Sequence, residues 1–265
     1  MNASTFRPRK SLGQNFLVDE NIARKIVETL TPKPKDVVVE IGPGFGVLTK
    51  YLVPRVRQVL AVEIDRRLTA GLREAFADAT NFQLVEGDFL DVDLTALARK
   101  WGRLRVLGNI PYHITSPVIF KVLRARDLVQ DLTLMIQKEV ALRVVAAPGG
   151  KDYGILSVYS QLFAEPRILF HVSRNVFKPR PEVDSSVVRW DFPGRHAVTL
   201  RDERVFDQLV HVAFQQRRKM LRKSLRSVPE FAERLERLDF DLQKRPEQLS
   251  PLELVELSNA LSEHG

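Results

Sequence analysis

The sequence predicts an α/β chain: a parallel sheet covered by helices on both faces, followed by a small all-helical domain. Three observations carry that reading. Short apolar runs at 37–39, 59–62, 82–85 and 104–107 are separated by polar segments, some with helical apolar spacing. Within each run the apolar character is nearly continuous rather than alternating, as in strands buried on both faces of a parallel sheet. Beyond position 194 only helical spacing remains.

Asp19 is placed to cap a first helix, whose apolar residues Ile22, Ile26, Val27 and Leu30 share one face and which Pro32 and Pro34 close. The β-branched run Val37, Val38, Val39 leads through Glu40 and Ile41 into Gly42-Pro43-Gly44-Phe45-Gly46, and helical spacing resumes at Val47, Leu48 and Leu52. That is strand, glycine turn, helix. A second strand ends on Glu63-Ile64-Asp65 and precedes a helix through Leu68, Leu72 and Phe76. The third ends at Glu86-Gly87-Asp88 and the fourth at Gly108-Asn109. Further strands are expected at 132–136, 167–172 and 185–190, with helices at 138–145 and 157–163 around a loop at 147–150. Asp191-Phe192-Pro193-Gly194 then breaks the pattern. Val205, Phe206, Leu209, Val210, Ala213 and Phe214 repeat at helical spacing, and a last helix starts at Ser250 with Glu253 completing a capping box. The expected domains are therefore 1–194 and 195–265.

Composition bounds the function. The 265 residues carry 41 Lys+Arg against 33 Asp+Glu, a formal charge of +8, with 44% hydrophobic and 28% charged residues. This is a globular balance with a core, not a disordered one. Cysteine is absent, which removes disulfides, thiolate metal sites and cysteine nucleophiles, and fits the cytoplasm. The five histidines lack metal-site spacing, so no metal is expected. No run approaches a membrane span, and the first residues lack the apolar core of a leader peptide. The basic excess is compatible with an anionic partner such as nucleic acid.

In open parallel sheets, ligands bind at the carboxyl ends of the strands, and all four early strands end on polar or glycine positions. Gly42 and Gly44 let the backbone approach a ligand, or serve only a tight strand-to-helix turn. Glu63 stands where an acid at the end of the second strand takes ribose hydroxyls. The turn departs from the dinucleotide fingerprint, because Val47 replaces its third glycine and Glu40 would repel a pyrophosphate. A cationic nucleoside without phosphates, S-adenosylmethionine, fits better, and Asp88 at the next strand end belongs to the same constellation.

Asn109-Ile110-Pro111-Tyr112 follows the fourth strand. Methylating an exocyclic amino nitrogen is difficult because its lone pair is delocalised into the ring. A site must hold the NH2 by its hydrogens, in line with the methyl donor. The Asn109 side-chain oxygen and the Ile110 carbonyl can both accept such bonds, Pro111 holds the carbonyl's direction, and Tyr112 offers a face for stacking a flipped base. The amine sheds its proton after transfer, so His113 is not needed as a base. Taken alone, the tetrapeptide reads first as a turn closing a strand; its place at the fourth strand end favours the site.

Together, Gln14-Asn15-Phe16-Leu17, Glu40-Ile41-Gly42-Pro43-Gly44, Val62-Glu63-Ile64-Asp65, Gly87-Asp88, Asn109-Ile110-Pro111-Tyr112 and the segment from Phe177 through Pro179 and Pro181 to Ser185 occur in the order of one group. Over nearly its whole length the chain resembles the ribosomal RNA adenine N6,N6-dimethyltransferases, the kasugamycin-sensitivity group. The resemblance implies a Rossmann-like S-adenosylmethionine-dependent methyltransferase domain, with the cofactor held by Asn15, Leu17, Gly42, Glu63, Asp88 and Asn109. It implies that Asn109, Ile110, Pro111 and Tyr112 activate the amine and that Phe177 helps to sandwich the base. The implied substrate is a pair of adjacent adenines near the 3′ end of small-subunit ribosomal RNA, modified late in assembly; separately, the chain is expected to act as a monomer. Ile110 stands where that group usually has Leu. With Tyr112-His113-Ile114 it is similar to the macrolide-resistance methyltransferases of large-subunit RNA, whereas the segments 151–158 and 216–222 look like the small-subunit group. Some relatives are non-catalytic assembly or transcription factors.

Six basic residues, Arg217, Arg218, Lys219, Arg222, Lys223 and Arg226, lie between Phe214 and Val228 with no acid among them. With Met220, Leu221 and Leu225 as the buried side, they are expected to form one amphipathic helix whose cationic face meets RNA phosphates. Arg9 and Lys10 are a second expected RNA contact.

Overall fold

The structure, a computed structural model, describes residues 6–9, 12–192 and 199–262. The chain divides into two compact units, the first comprising Met1–Ala141 and Glu165–Gly194. It opens with the short strand β1 (Phe16–Leu17) and helix α1 (Glu20–Leu30), whose first turn is capped by the Asp19 carboxylate accepting from the backbone N–H groups of Asn21 and Ile22. The fully buried run β2 (Val37–Ile41) leads through the glycine turn to α2 (Thr49–Leu52). Then follow β3 (Gln58–Glu63), α3 (Arg66–Ala75), β4 (Phe82–Glu86), α4 (Leu94–Trp101), β5 (Leu104–Asn109), α5 (Thr115–Arg124), β6 (Val129–Gln137) and α6 (Lys138–Val144). Helices α4 and α5 had no place in the sequence reading. After α7 (Ile155–Phe163) the sheet is completed by β7 (Glu165–Val172) and β9 (Ser185–Asp191), with β8 (Phe177–Lys178) between them in sequence.

Seven strands form one sheet in the order β4-β3-β2-β5-β6-β9-β7. The five strands β2 to β6 are parallel, and β9 pairs antiparallel with both β6 and β7. The strand order reverses between β2 and β5. That is the switch point at which a doubly wound sheet opens a crevice for a ligand. Outside this sheet, β1 pairs with β8, setting Leu17 opposite Phe177.

The amino ends of the central strands are locked by a buried ionic cluster. Arg105, 2% exposed, donates to Asp131, to Asp36 at 2.7 Å and to the Leu30 carbonyl at 2.6 Å, while Arg189 also donates to Asp131 at 2.9 Å. The last turn of α1 is thereby tied to β5 and β6.

The second unit comprises Leu142–Ala164 and Arg195–Gly265, which corrects the boundaries expected from sequence. Its helices are α7, α8 (Glu203–Gln215), α9 (Leu221–Leu225), α10 (Pro229–Ala232) and α11 (Pro251–Ser262). Segment 142–164 belongs here because its aromatic side chains complete this unit's core. Tyr159 packs on Phe206 with ring centroids 5.6 Å apart, Tyr153 lies against Phe214, and the Tyr153 hydroxyl donates to the Leu249 carbonyl. A linear reading cannot see that a helix inserted between two strands of one unit serves the core of another. The expected capping box is present, with the Ser250 N–H donating to the Glu253 carboxylate and the Glu253 N–H to the Ser250 hydroxyl.

Candidate functional site

A cleft in the first unit opens at the carboxyl ends of β2, β3, β4 and β5. Its lining includes every expected cofactor residue: Asn15, Leu17, Gly42, Gly44, Glu63, Asp88 and Asn109. It also includes Ile110, Pro111, Tyr112 and Phe177. Glu40, Glu63 and Asp88 line this cleft, and among the described residues no Lys or Arg does. Such a wall repels phosphates and favours a cationic ligand.

The glycine turn sets the cleft's shape. Gly44 has φ +60°, and a Cβ there would come within 3.2 Å of the Phe16 ring. Its N–H donates to Glu63 Oε2 at 3.1 Å, while Glu63 Oε1 accepts from the Asp65 N–H at 2.8 Å. Glu63 is 3% exposed; burial raises its pKa, and these backbone donors oppose the rise. Below the turn, Glu40 accepts from the Thr49 hydroxyl at 2.7 Å. Burial pushes the Glu40 carboxyl up to about 7; the Thr49 bond opposes this and the charge of Glu63 adds to it. Asp88 caps a tight turn by accepting from the Leu90 N–H, and it remains partly exposed.

The segment before α1 is bound over the strand ends. Gln14 Nε2 donates to Asp65 Oδ2 at 2.8 Å, and the Arg67 guanidinium engages both oxygens of the same carboxylate. Those bonds hold the Asp65 carboxyl down at about 2, with Arg67 the largest influence. Arg67 also lies 4.5 Å from the centroid of the Phe6 ring, and Phe6 packs edge to face on Phe16 and Phe45, which are themselves tilted against each other. Arg9, expected at RNA, has a guanidinium nitrogen 4.0 Å from Asp65 and a side chain that stays 55% exposed. Lys10 lies outside the described residues.

This segment meets the tetrapeptide. Asn109 Nδ2 donates to the Asn15 carbonyl at 3.3 Å, and Asn15 Nδ2 to the Gly13 carbonyl at 3.2 Å. The Asn109 amide nitrogen is thereby engaged and its oxygen left as an acceptor. The Tyr112 hydroxyl is bonded to Ser185 Oγ at 2.9 Å. Phe177 sits in β8, 3% exposed, in a core cluster with Leu17 and Val187, and forms a wall of the cleft.

The basic segment of the second unit is not one helix. Helix α8 ends at Gln215, a turn follows, and α9 begins only at Leu221. Arg217, Arg218 and Lys219 thus sit in the turn, and Met220 is 47% exposed rather than buried. Arg217 is bonded to Glu247 and to the carbonyls of Gly150 and Lys151. Arg222 and Arg226 converge on Glu236. Arg218, Lys219 and Lys223 remain exposed. The single helix fails because its Phe214–Met220 stretch has few apolar anchors, while acids distant in sequence draw the arginines away.

Sequence reasoning gave no role to Gln14, Asp65 or Ser185, whose partners are remote in the chain, nor to Ile64. Ile64 is an apolar side chain left 50% exposed in the cleft. Its position between two acids at a strand end was the available signal.

The residues present fit S-adenosylmethionine: a cleft with three acids and, among the described residues, no lysine or arginine suits a sulfonium and an ammonium, and the positive-φ glycines leave room for a close approach. Comparison with known proteins agrees. Residues 5–262 match the family described as ribosomal RNA adenine dimethylase. Ribosomal RNA small subunit methyltransferase A of Moorella thermoacetica is 44% identical, covering 96% of this chain and 92% of its own. The protein of the same name from Chlorobium phaeobacteroides is 45% identical, covering 96% and 93%. Among solved structures, a dimethyladenosine transferase from Plasmodium falciparum superposes with a TM-score of 0.79 at 26% identity, covering 93% of this chain and 98% of its own. The 23S rRNA methyltransferase ErmE superposes with a TM-score of 0.70 at 27% identity, covering 94% and 100%. The chain belongs to the ribosomal RNA adenine dimethylase family and is a Rossmann-like methyltransferase that uses S-adenosylmethionine.

Proposed function

We propose that this chain dimethylates N6 of two adjacent adenines near the 3′ end of small-subunit (16S) ribosomal RNA, late in subunit assembly, as a cytoplasmic monomer. The observation that supports it most is the engagement of the Asn109 amide nitrogen by Asn15, which presents the Asn109 oxygen beside an acid-lined cleft. The choice of the small subunit is supported by the relatives' names.

Bound S-adenosylmethionine supplies an electrophilic methyl group on a cationic sulfur. Glu63 takes the ribose hydroxyls, Asp88 the adenine amino group, and the backbone at Asn15, Leu17, Gly42 and Gly44 shapes the rest. Asn109 Oδ1 and the Ile110 carbonyl accept the two hydrogens of the target amine, drawing its nitrogen toward tetrahedral geometry. Pro111 holds that carbonyl's direction, and Tyr112 and Phe177 flank the flipped base. The proton leaves to water after transfer. In the second round the amine keeps one hydrogen, so only one of the two acceptors can be satisfied by it.

The test is incubation with labelled S-adenosylmethionine and under-methylated small and large subunits in parallel. Dimethyladenine near the 3′ end of the small-subunit RNA is the expected result. Label in the large subunit alone would instead support the reading that the likeness to ErmE favours. Label in neither would overturn the catalytic assignment.

A further inference from the structure

We propose that Ser185 is a positioning residue for the reaction, acting through Tyr112. This rests on the reading that Tyr112 stacks on the target base. The two hydroxyls are 2.9 Å apart, and Ser185 is fully buried while Tyr112 is half-buried at the cleft. A serine at the end of a strand is ordinarily a solvated residue. This one sits at the first position of β9 with sheet partners on both sides, opposite Gln137 of β6 and Val172 of β7.

Its backbone is thus held by a neighbouring strand on each side, and only one side-chain torsion separates the hydroxyl from that frame. Tyr112 is held less firmly. It opens a single turn of 3-10 helix after Pro111, and that turn has no side-chain cap. Its ring torsion is intrinsically broad. Anchoring the hydroxyl fixes the direction of the ring's long axis. Whichever hydroxyl donates, a phenolic oxygen makes its hydrogen bonds near the ring plane, so the bond also resists rotation about that axis. A stacking surface depends on that tilt, and reactive geometry is held only where the supporting residues are themselves locked.

The placement also couples the two aromatic walls. Phe177 and Ser185 bound the same segment, and the Arg174 guanidinium braces it by donating to the Glu182 carbonyl at 2.6 Å. The Arg174 N–H donates to Asp184 Oδ1 at 3.0 Å. One rigid loop therefore carries Phe177 and sets the attitude of Tyr112.

The experiment is a double-mutant cycle of Ser185→Ala and Tyr112→Phe in the full chain. It reads kcat and KM for under-methylated small subunits, the cofactor's Kd, and the fluorescence of 2-aminopurine placed at the target adenine. Each single variant is expected to lower kcat/KM by roughly three- to ten-fold, the size of one neutral hydrogen bond. The cofactor's Kd should stay unchanged and the quenching of 2-aminopurine should weaken. The double variant should be no worse than the poorer single one, because both remove the same bond. Losses that multiply, or wild-type kinetics in Ser185→Ala, would overturn the proposal. If Ser185→Ala does not fold, Tyr112→Phe removes the bond from the other end, and its wild-type kinetics and quenching would overturn the proposal equally. Tyr112→Ala separates the two levels: full activity there would sink the stacking reading itself, whereas an inactive Tyr112→Ala alongside multiplying losses in the cycle would sink only the role of Ser185.

Discussion

Asn109 donates its amide nitrogen to the backbone carbonyl of Asn15 at 3.3 Å, so a side chain at the end of β5 is oriented by the segment that precedes α1. An asparagine can present either its nitrogen or its oxygen to a ligand, and this contact decides between them. Asn109→Ala is expected to lower methyl transfer by on the order of a hundred-fold, in keeping with loss of a hydrogen-bonding group at a reacting centre. Cofactor affinity should stay within a few-fold. Single-turnover kinetics and calorimetry check both. Gly13→Ala should lower the rate as well, because Gly13 has φ +59° and a Cβ there would come within 3.1 Å of the His113 ring, shifting the segment that carries the Asn15 carbonyl.

Glu40 is expected to give the protein opposite pH responses with and without cofactor. Its carboxyl is raised to about 7 in the fold, mainly by burial, and returns to an ordinary value on unfolding. The native state then holds a proton that the unfolded state has lost. Stability from this group is complete below its unfolded pKa and is lost as pH rises through about 7, by about 3 kcal/mol in all. A cationic ligand reverses the preference, since it favours the charged carboxylate. Cofactor affinity should therefore rise across the same interval. Glu40→Gln should flatten both curves, read by urea denaturation and calorimetry at pH 5 to 8. A wild-type pH dependence in that variant would show that another group carries it.

Arg105 supports the opposite end of the sheet. Its guanidinium is 2% exposed and serves two carboxylates, Asp131 and Asp36, together with the Leu30 carbonyl. Removing it strands buried negative charge, a loss of about 3–5 kcal/mol. Arg105→Ala should show that loss in urea denaturation, and Arg105→Lys should recover only part of it because an ammonium cannot reproduce the planar fork. A loss below about 1 kcal/mol would mean that water enters and solvates the acids.

What the chain's linear pattern revealed, and what it hid, divides by the range of the interactions. The strand ends carrying Glu40, Glu63, Asp88 and Asn109 were legible because each follows its own apolar run, and a parallel sheet collects such ends at one edge. The caps at Asp19 and Ser250 were legible because capping is local. The Asp65 anchor for Gln14, the Ser185 bond to Tyr112 and the membership of Tyr159 in the second unit's core were not. Each depends on partners dozens of residues apart, for which periodicity has no signal. The basic stretch misled for a related reason: its charges were visible, but Glu236 and Glu247, which draw three of its arginines away, were not adjacent to it.

That redistribution of charge separates two kinds of basic residue in the second unit. Arg217 is used internally, binding Glu247 and the carbonyls of Gly150 and Lys151, whereas Arg218 and Lys219 beside it are exposed. If the exposed pair meets RNA phosphates, Arg218→Glu with Lys219→Glu should weaken RNA binding. It should also lower the slope of log affinity against log salt by roughly one for each phosphate that is no longer neutralised. Arg217→Ala should act differently. It frees the turn and the 149–151 loop from each other, so amide exchange there should quicken and RNA affinity should fall while the salt slope stays near that of the wild type. A slope reduced as much by Arg217→Ala as by the exposed pair would mean that Arg217 leaves its internal partners to bind RNA directly.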